Sequence, residues 1–304
     1  MMLPNRAALL LITMLLIAPS AQGGEPSAES IKSFADHLYG AGDYYRAITE
    51  YERLLFFYPT HTLSTAAQYQ IAMAYLEGGK YTQAIKQLRD LSNTYAGSEI
   101  GRKAQLSLAE AYIRKKDHHL ALNMLEEFLA SYPRDPRADA VRIRTGWVYL
   151  QLGEWQQAGA EFRSVPAGSA ERRQAEALAG ESAGYPGLQK KSPALAGTLS
   201  AVLPGAGQLY VGRPADATTS FLLNSLFIWA TVEAFKSDND VTGGILLFFE
   251  SGWYFGNIYN AMGSAHKYNR RAEQRYLDDL QSRYGISYLR DDRGRDILAF
   301  TLRF

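Results

Sequence analysis

The chain has 304 residues, 47% of them hydrophobic and 21% charged, with a formal net charge of +1. That balance creates no field to hold nucleic acid, and the length leaves room for two modest domains. Without a cysteine the chain has no disulfide, thiolate metal centre, cysteine nucleophile or lipidated cysteine.

Residues 1–23 read as a secretory signal peptide. Arg6 supplies the positive end, Ala7 to Ile17 the apolar core, and Ala21-Gln22-Gly23 the small residues for cleavage. Residues 27–183 then repeat with a step of 37. Ala47, Ala84, Ala121 and Ala158 keep that step, as do Tyr44, Tyr81, His118 and Trp155. A fixed period of this size predicts an array of units that bury their apolar faces by stacking. Each period holds two amphipathic helices. In the second unit, Ala67, Ile71 and Ala74 form one face; after the turn Gly78-Gly79-Lys80, Tyr81, Ala84, Ile85 and Leu88 form another. The small residue early in the second helix lets the pair approach closely. Pro59 and Pro133 follow second helices, where proline ends them. The third turn, Lys116-Asp117, lacks glycine, and residues 170–183 predict a closing helix.

The runs Gly-Asp-Tyr-Tyr-Arg-Ala-Ile at 42–48 and Gly-Lys-Tyr-Thr-Gln-Ala-Ile at 79–85 resemble the tetratricopeptide repeat family, in the lengthened form of bacterial envelope proteins. The resemblance covers about half the chain. It implies a groove that binds a protein or peptide partner. The repeat aromatics themselves, Tyr44, Tyr81 and Trp155 among them, read mostly as packing core.

Residues 184–193, rich in Gly, Pro and Lys, read as a linker. Beyond it, 194–276 predict a membrane helical domain with apolar segments 194–211, 215–235 and 241–262, running into a basic amphipathic helix and then a tail over 277–304. The overall expectation is an all-α chain: a tetratricopeptide helix-pair solenoid followed by a transmembrane helical region. Within 194–211, Pro204, Gly205 and Gly207 break the helix, which makes a kinked or re-entrant segment plausible and is tolerated at membrane depth where protein covers the freed backbone. With Gln208 and Tyr210 these residues resemble the Pro-Gly-x-Gly-Gln-x-Tyr region of envelope proteins that join such repeats to a membrane domain; Gly256-Asn257-Ile258-Tyr259 and Ala265-His266-Lys267-Tyr268-Asn269 extend the likeness.

Lys267, Arg270, Arg271 and Arg275 follow the last apolar segment. Three crossings would put them in the cytoplasm with the repeats in the periplasm; two would leave them outside. The alternating residues 297–304, ending on Phe304, read as a short strand or packed tail.

No catalytic, cofactor or metal motif occurs, and the adjacent His118 and His119 would diverge by about 100° on a helix. The polar candidates are Asn224, Glu250, Asn257 and Asn260 in apolar segments, read first as helix–helix glue. An antiparallel hairpin places Asn224 and Glu250 at nearly one depth, which predicts a hydrogen bond between them. Gly252 and Gly256 form a small-xxx-small pair suited to close helix approach. The sequence therefore predicts a non-enzymatic scaffold in the bacterial inner membrane, with periplasmic repeats recruiting a protein, lipid as its second partner, no nucleic acid, and oligomers possible. The alternatives are a small transporter using Glu250, a soluble periplasmic adaptor, and an outer-membrane location.

Overall fold

The computed structural model describes residues 26–185, 188–284, 286–290 and 296–300. The signal segment, Pro186 and Phe304 lie outside them. The chain divides into two compact units, one ending at Phe128 and one starting at Leu129.

The first unit is built of helix pairs: α1 (Ala28–Gly40) with α2 (Tyr44–Phe57), α3 (Ser64–Glu77) with α4 (Tyr81–Thr94), and α5 (Glu99–Arg114) followed by α6 (His118–Ser131), which runs to the division and past it. The 37-residue step is visible in the backbone. Gly42, Gly79, Lys116 and Gly153 all have positive φ, at 80°, 73°, 68° and 78°. Each donates its N–H three residues back, and the next residue donates five back, as in Asp43 N–H to the Leu38 carbonyl and Asp117 N–H to the Tyr112 carbonyl. These are helix ends closed by a left-handed residue. Glycine adopts that conformation freely; Lys116 does so against a steric cost. Ala47, Ala84 and Ala121 are fully buried with Tyr51, Leu54, Leu88 and Phe128. Tyr44 and Tyr81 are half-buried, and Tyr44 packs edge-on to Tyr39 at 5.4 Å. The ion pair Arg114–Glu77, at 2.9 Å, spans one repeat step.

The second unit opens with a fourth pair, α7 (Ala138–Leu152) and α8 (Trp155–Arg163), followed by α9 (Arg172–Gly184). Gly146 lets the pair close: a Cβ there would sit 2.4 Å from the Phe162 ring. Trp147, Trp155, Ala158, Phe162 and Leu178 form the core of this end. The fold is thus an all-α, tetratricopeptide-like helical repeat. Four more helices follow: α10 (Pro193–Val202), α11 (Ala206–Tyr210), α12 (Pro214–Lys236) and α13 (Asp240–Tyr284). Strands β1 (Ile286–Arg290) and β2 (Asp296–Phe300) pair antiparallel, Ile286 opposite Phe300.

Among the described residues, no helix is long and apolar enough to cross a membrane. The polar residues that interrupt α12 and α13, namely Asn224, Glu233, Glu250, Asn257 and Asn260, lower their mean hydropathy. The segment 194–211 does not form a crossing: it is two helices of 10 and 5 residues, when a bilayer needs about 20. Gly205, at φ 91°, turns the chain between them.

Candidate functional site

The residues of the Pro204–Tyr210 motif make one buried junction. After Gly205, α11 doubles back along α10 and both pack on α13. Close approach requires glycine twice: a Cβ on Gly205 would lie 2.2 Å from the Ala217 carbonyl, and one on Gly207 2.0 Å from the Ala196 carbonyl. The Gly207 N–H donates to Ser200 Oγ at 3.1 Å, and Ser200 Oγ donates to Gln208 Oε1 at 2.9 Å. Gln208 Nε2 donates to both the backbone and side-chain oxygens of Asn257, the former at 3.1 Å. Gln208 and Ser200 are fully buried. Tyr210 accepts from Ser192 N–H at 3.1 Å, and Asn269 clamps the Lys191 backbone, accepting at 2.7 Å and donating at 2.8 Å. The motif is therefore a joint that fixes the start of the hairpin to the middle of α13. It can hold two segments in register.

The hairpin of α12 and α13 is inverted relative to a water-soluble pair. A seven-residue step runs through its buried positions, Ala217, Asn224 and Thr231 on α12 and Gly243, Glu250, Asn257 and Ser264 on α13, with Ala261 and Ala265 buried beside the last of them. Seven-residue spacing makes a continuous helix–helix seam. That seam is small and polar. The exposed positions are large and apolar: Leu226, Trp229, Ile245, Phe248, Phe249 and Phe255 are 54–76% exposed. Glycine lets the helices touch near the tip, where a Cβ on Gly243 would meet the Phe235 ring at 2.8 Å.

The expected Asn224–Glu250 hydrogen bond is not made. Asn224 Nδ2 donates to the Ser220 carbonyl at 2.6 Å, while Asn224 Oδ1 and both Glu250 oxygens are buried without a partner. The i−4 carbonyl on its own helix, which has a second lone pair to offer, is the acceptor the Asn224 amide takes. Gly252 and Gly256 have open space where a Cβ would stand, so among the described residues no helix uses them for close approach. With Asn260, Asn257, Ser220 and Arg213 they line an open groove of about 760 Å³.

A second cluster, absent from the sequence reading, ties α13 to the last helix pair. Trp155 stacks on Tyr185 at 3.8 Å, and Tyr276 leans on Trp155 at 5.6 Å. Glu273 accepts from the Trp155 indole at 3.4 Å and the Tyr185 hydroxyl at 2.8 Å. Arg283 donates to Glu181 at 2.6 Å and holds its carboxyl below the usual range, and the Tyr276 hydroxyl, which also donates to Glu181, is pushed up to about 12 by burial first and by that carboxylate second. Leu280 is fully buried in the same core, and Gln174 donates to the Tyr284 carbonyl at 2.7 Å. Only Trp155 signalled this cluster, through its repeat position; Tyr185 falls in the linker and Tyr276 at the end of the 194–276 segment. The packing sets the basic stretch beside the last helix pair.

A family model described as outer membrane lipoprotein, YfiO, matches residues 62–175. A tetratricopeptide repeat protein from Parabacteroides merdae is similar over 84% of this chain and 98% of its own, at 16% identity and a TM-score of 0.43. The nearly identical repeats of a putative kinesin light chain from Podosopora anserina are similar over 52% of this chain and 86% of theirs, at 18% identity and a TM-score of 0.43. No curated relative matches the chain.

Proposed function

We propose that this chain is a scaffold of the bacterial cell envelope that binds a protein or peptide in its repeat groove and is held on the inner membrane by the α12–α13 hairpin, with the repeats and the basic stretch of α13 both on the periplasmic side. One observation carries the membrane reading: the hairpin buries Asn224, Thr231, Glu250 and Asn257 and exposes Trp229, Phe248 and Phe249. A soluble protein rarely leaves so large a contiguous apolar face in water. In lipid the helix seam gains from small and polar contacts, and large apolar groups belong outside. This arrangement disfavours the soluble adaptor. The match to an envelope lipoprotein family supports the compartment; with no cysteine to carry a lipid, the hairpin takes the anchoring role in this reading.

The test is fractionation of cells carrying the full chain. Retention in the inner-membrane pellet through carbonate and high salt, with release by detergent, is the expected result; release by carbonate alone overturns the anchor. Single cysteines at Ser98 and Ser282 should both label with a membrane-impermeant reagent in spheroplasts. Labelling of one alone refutes the shared side. Crosslinking from exposed repeat positions in cells should capture one recurrent protein, and its absence argues against the scaffold role.

A further inference from the structure

We infer that a basic collar at the base of the hairpin docks on the phosphates of anionic phospholipids, so that the protein selects acidic membrane surfaces; this rests on the lipid-facing reading of the hairpin.

The collar lies on α13 directly after its exposed apolar stretch. Lys267, Arg270, Arg271 and Arg275 fall three, four and eight residues apart, along one helix face. Two more lysines are brought to this level by the fold. Asn269 clamps the Lys191 backbone, and Lys191 Nζ lies 4.7 Å from the centre of the Tyr210 ring and 5.8 Å from that of Tyr268. Lys190 lies 4.6 Å over the Tyr185 ring. Arg213 is fixed at the same end, donating to Ser264 at 2.8 Å.

Carboxylates are kept away. No acidic residue occurs from 251 to 272 or from 188 to 215. Of the acids that border these stretches, Glu250 is buried in the helix seam, and the two at the level of the collar are engaged: Asp216 with Arg213, and Glu273 with Trp155 and Tyr185. The remaining pairs of this end join Arg283 to Glu181 and Asp279. Among the described residues, Lys267, Arg270 and Arg271 are exposed and have no carboxylate partner. Other arginines of the described residues do take a carboxylate, as Arg46 with Asp43 and Arg172 with Glu176; what sets the collar apart is that its cations are clustered beside an apolar face. Cations left unpaired beside an apolar face meet the requirements of a surface whose headgroups are anionic and whose interior is hydrocarbon. Tyr259, exposed eight residues before Lys267, is the amphipathic ring nearest the boundary such a collar would mark.

The test uses full-length protein in detergent, diluted into vesicles of phosphatidylcholine alone or mixed with phosphatidylglycerol, and separated by flotation. The wild type should partition more strongly into the anionic vesicles, with the preference fading in salt. Replacing Lys190, Lys267, Arg270 and Arg271 by glutamine should remove it, at roughly fivefold per residue. The variant Arg270→Lys, Arg271→Lys should retain it, which separates charge from misfolding. Equal flotation with both vesicles overturns the collar and leaves the hairpin reading intact. Flotation with neither overturns the hairpin reading and the collar with it. Displacement by glycerol phosphate beyond an equal ionic strength of chloride overturns membrane docking in favour of a soluble phosphate ligand.

Discussion

The helix pairs of the repeats and the helix pair of the hairpin have the same secondary structure and opposite insides. Within the repeats the contact surfaces are alanine, leucine and aromatic, and charge faces outward. Across the hairpin seam run Asn224, Thr231, Glu250 and Asn257, and the aromatics face outward. The hydrophobic effect in water builds the first arrangement. It opposes the second, which is stable where the surroundings are as apolar as the side chains. Helix periodicity is common to both, so it says where a helix turns without saying which solvent it meets.

The largest expected contrast pairs two phenylalanines. Phe162→Ala empties a fully buried site and should cost about 3–5 kcal/mol. Phe248→Ala, at a side chain 76% exposed, should leave the midpoint in detergent unchanged while weakening vesicle partition. A large loss of stability at Phe248 would erase the contrast.

Next comes Gly205→Ala. It forces a left-handed conformation on alanine and drives its Cβ into the Ala217 carbonyl, for a cost of at least about 2 kcal/mol. A denaturation midpoint close to wild type would mean that the turn has another solution. Gln208→Leu strands Ser200 and Asn257 in a dry junction and should cost about 1–3 kcal/mol; Gln208→Glu keeps the shape but loses the amide donor, and it should be no better tolerated.

At the repeat end, Lys116→Gly should raise stability by about 1 kcal/mol by relieving the positive φ of 68°. A destabilised glycine variant would refute that account of the turn. The smallest effect is one of pH. Arg283 depresses the folded Glu181 carboxyl, so the contact is at full strength above the unfolded carboxylate value of about 4.3 and is lost as pH falls through the lower folded value. Thermal melts should show extra acid sensitivity in that window, and Glu181→Gln should flatten it.

Much of the fold is legible in the residues. The step from Ala47 to Ala158 gives the repeat, because stacked units demand the same small residue at the same contact. Glycines at 42, 79 and 153 mark the helix ends, because only a left-handed residue closes them without strain. The Gln208 junction is half legible. Its glycines announce a break, but that Gln208 reaches Asn257, 49 residues on, depends on how α11 folds back. Asn224 and Glu250 show the limit of depth arithmetic: equal depth leaves open which acceptor a side chain takes, and the carbonyl of Ser220 lay closer to hand.

By itself, then, the sequence determined the helices, their period and the places where they stop, since these rest on local sterics and on a pattern of small and apolar residues. Tertiary structure alone decided which faces are covered. It turned 194–211 back at Gly205 and carried α13 on to Tyr284. It set Leu280, Trp155 and Tyr276 in one core, which holds the basic stretch beside the last helix pair. The physical reason is that burial and charge placement depend on contacts between residues a hundred or more positions apart, as in Trp155 with Glu273, and no local periodicity encodes them.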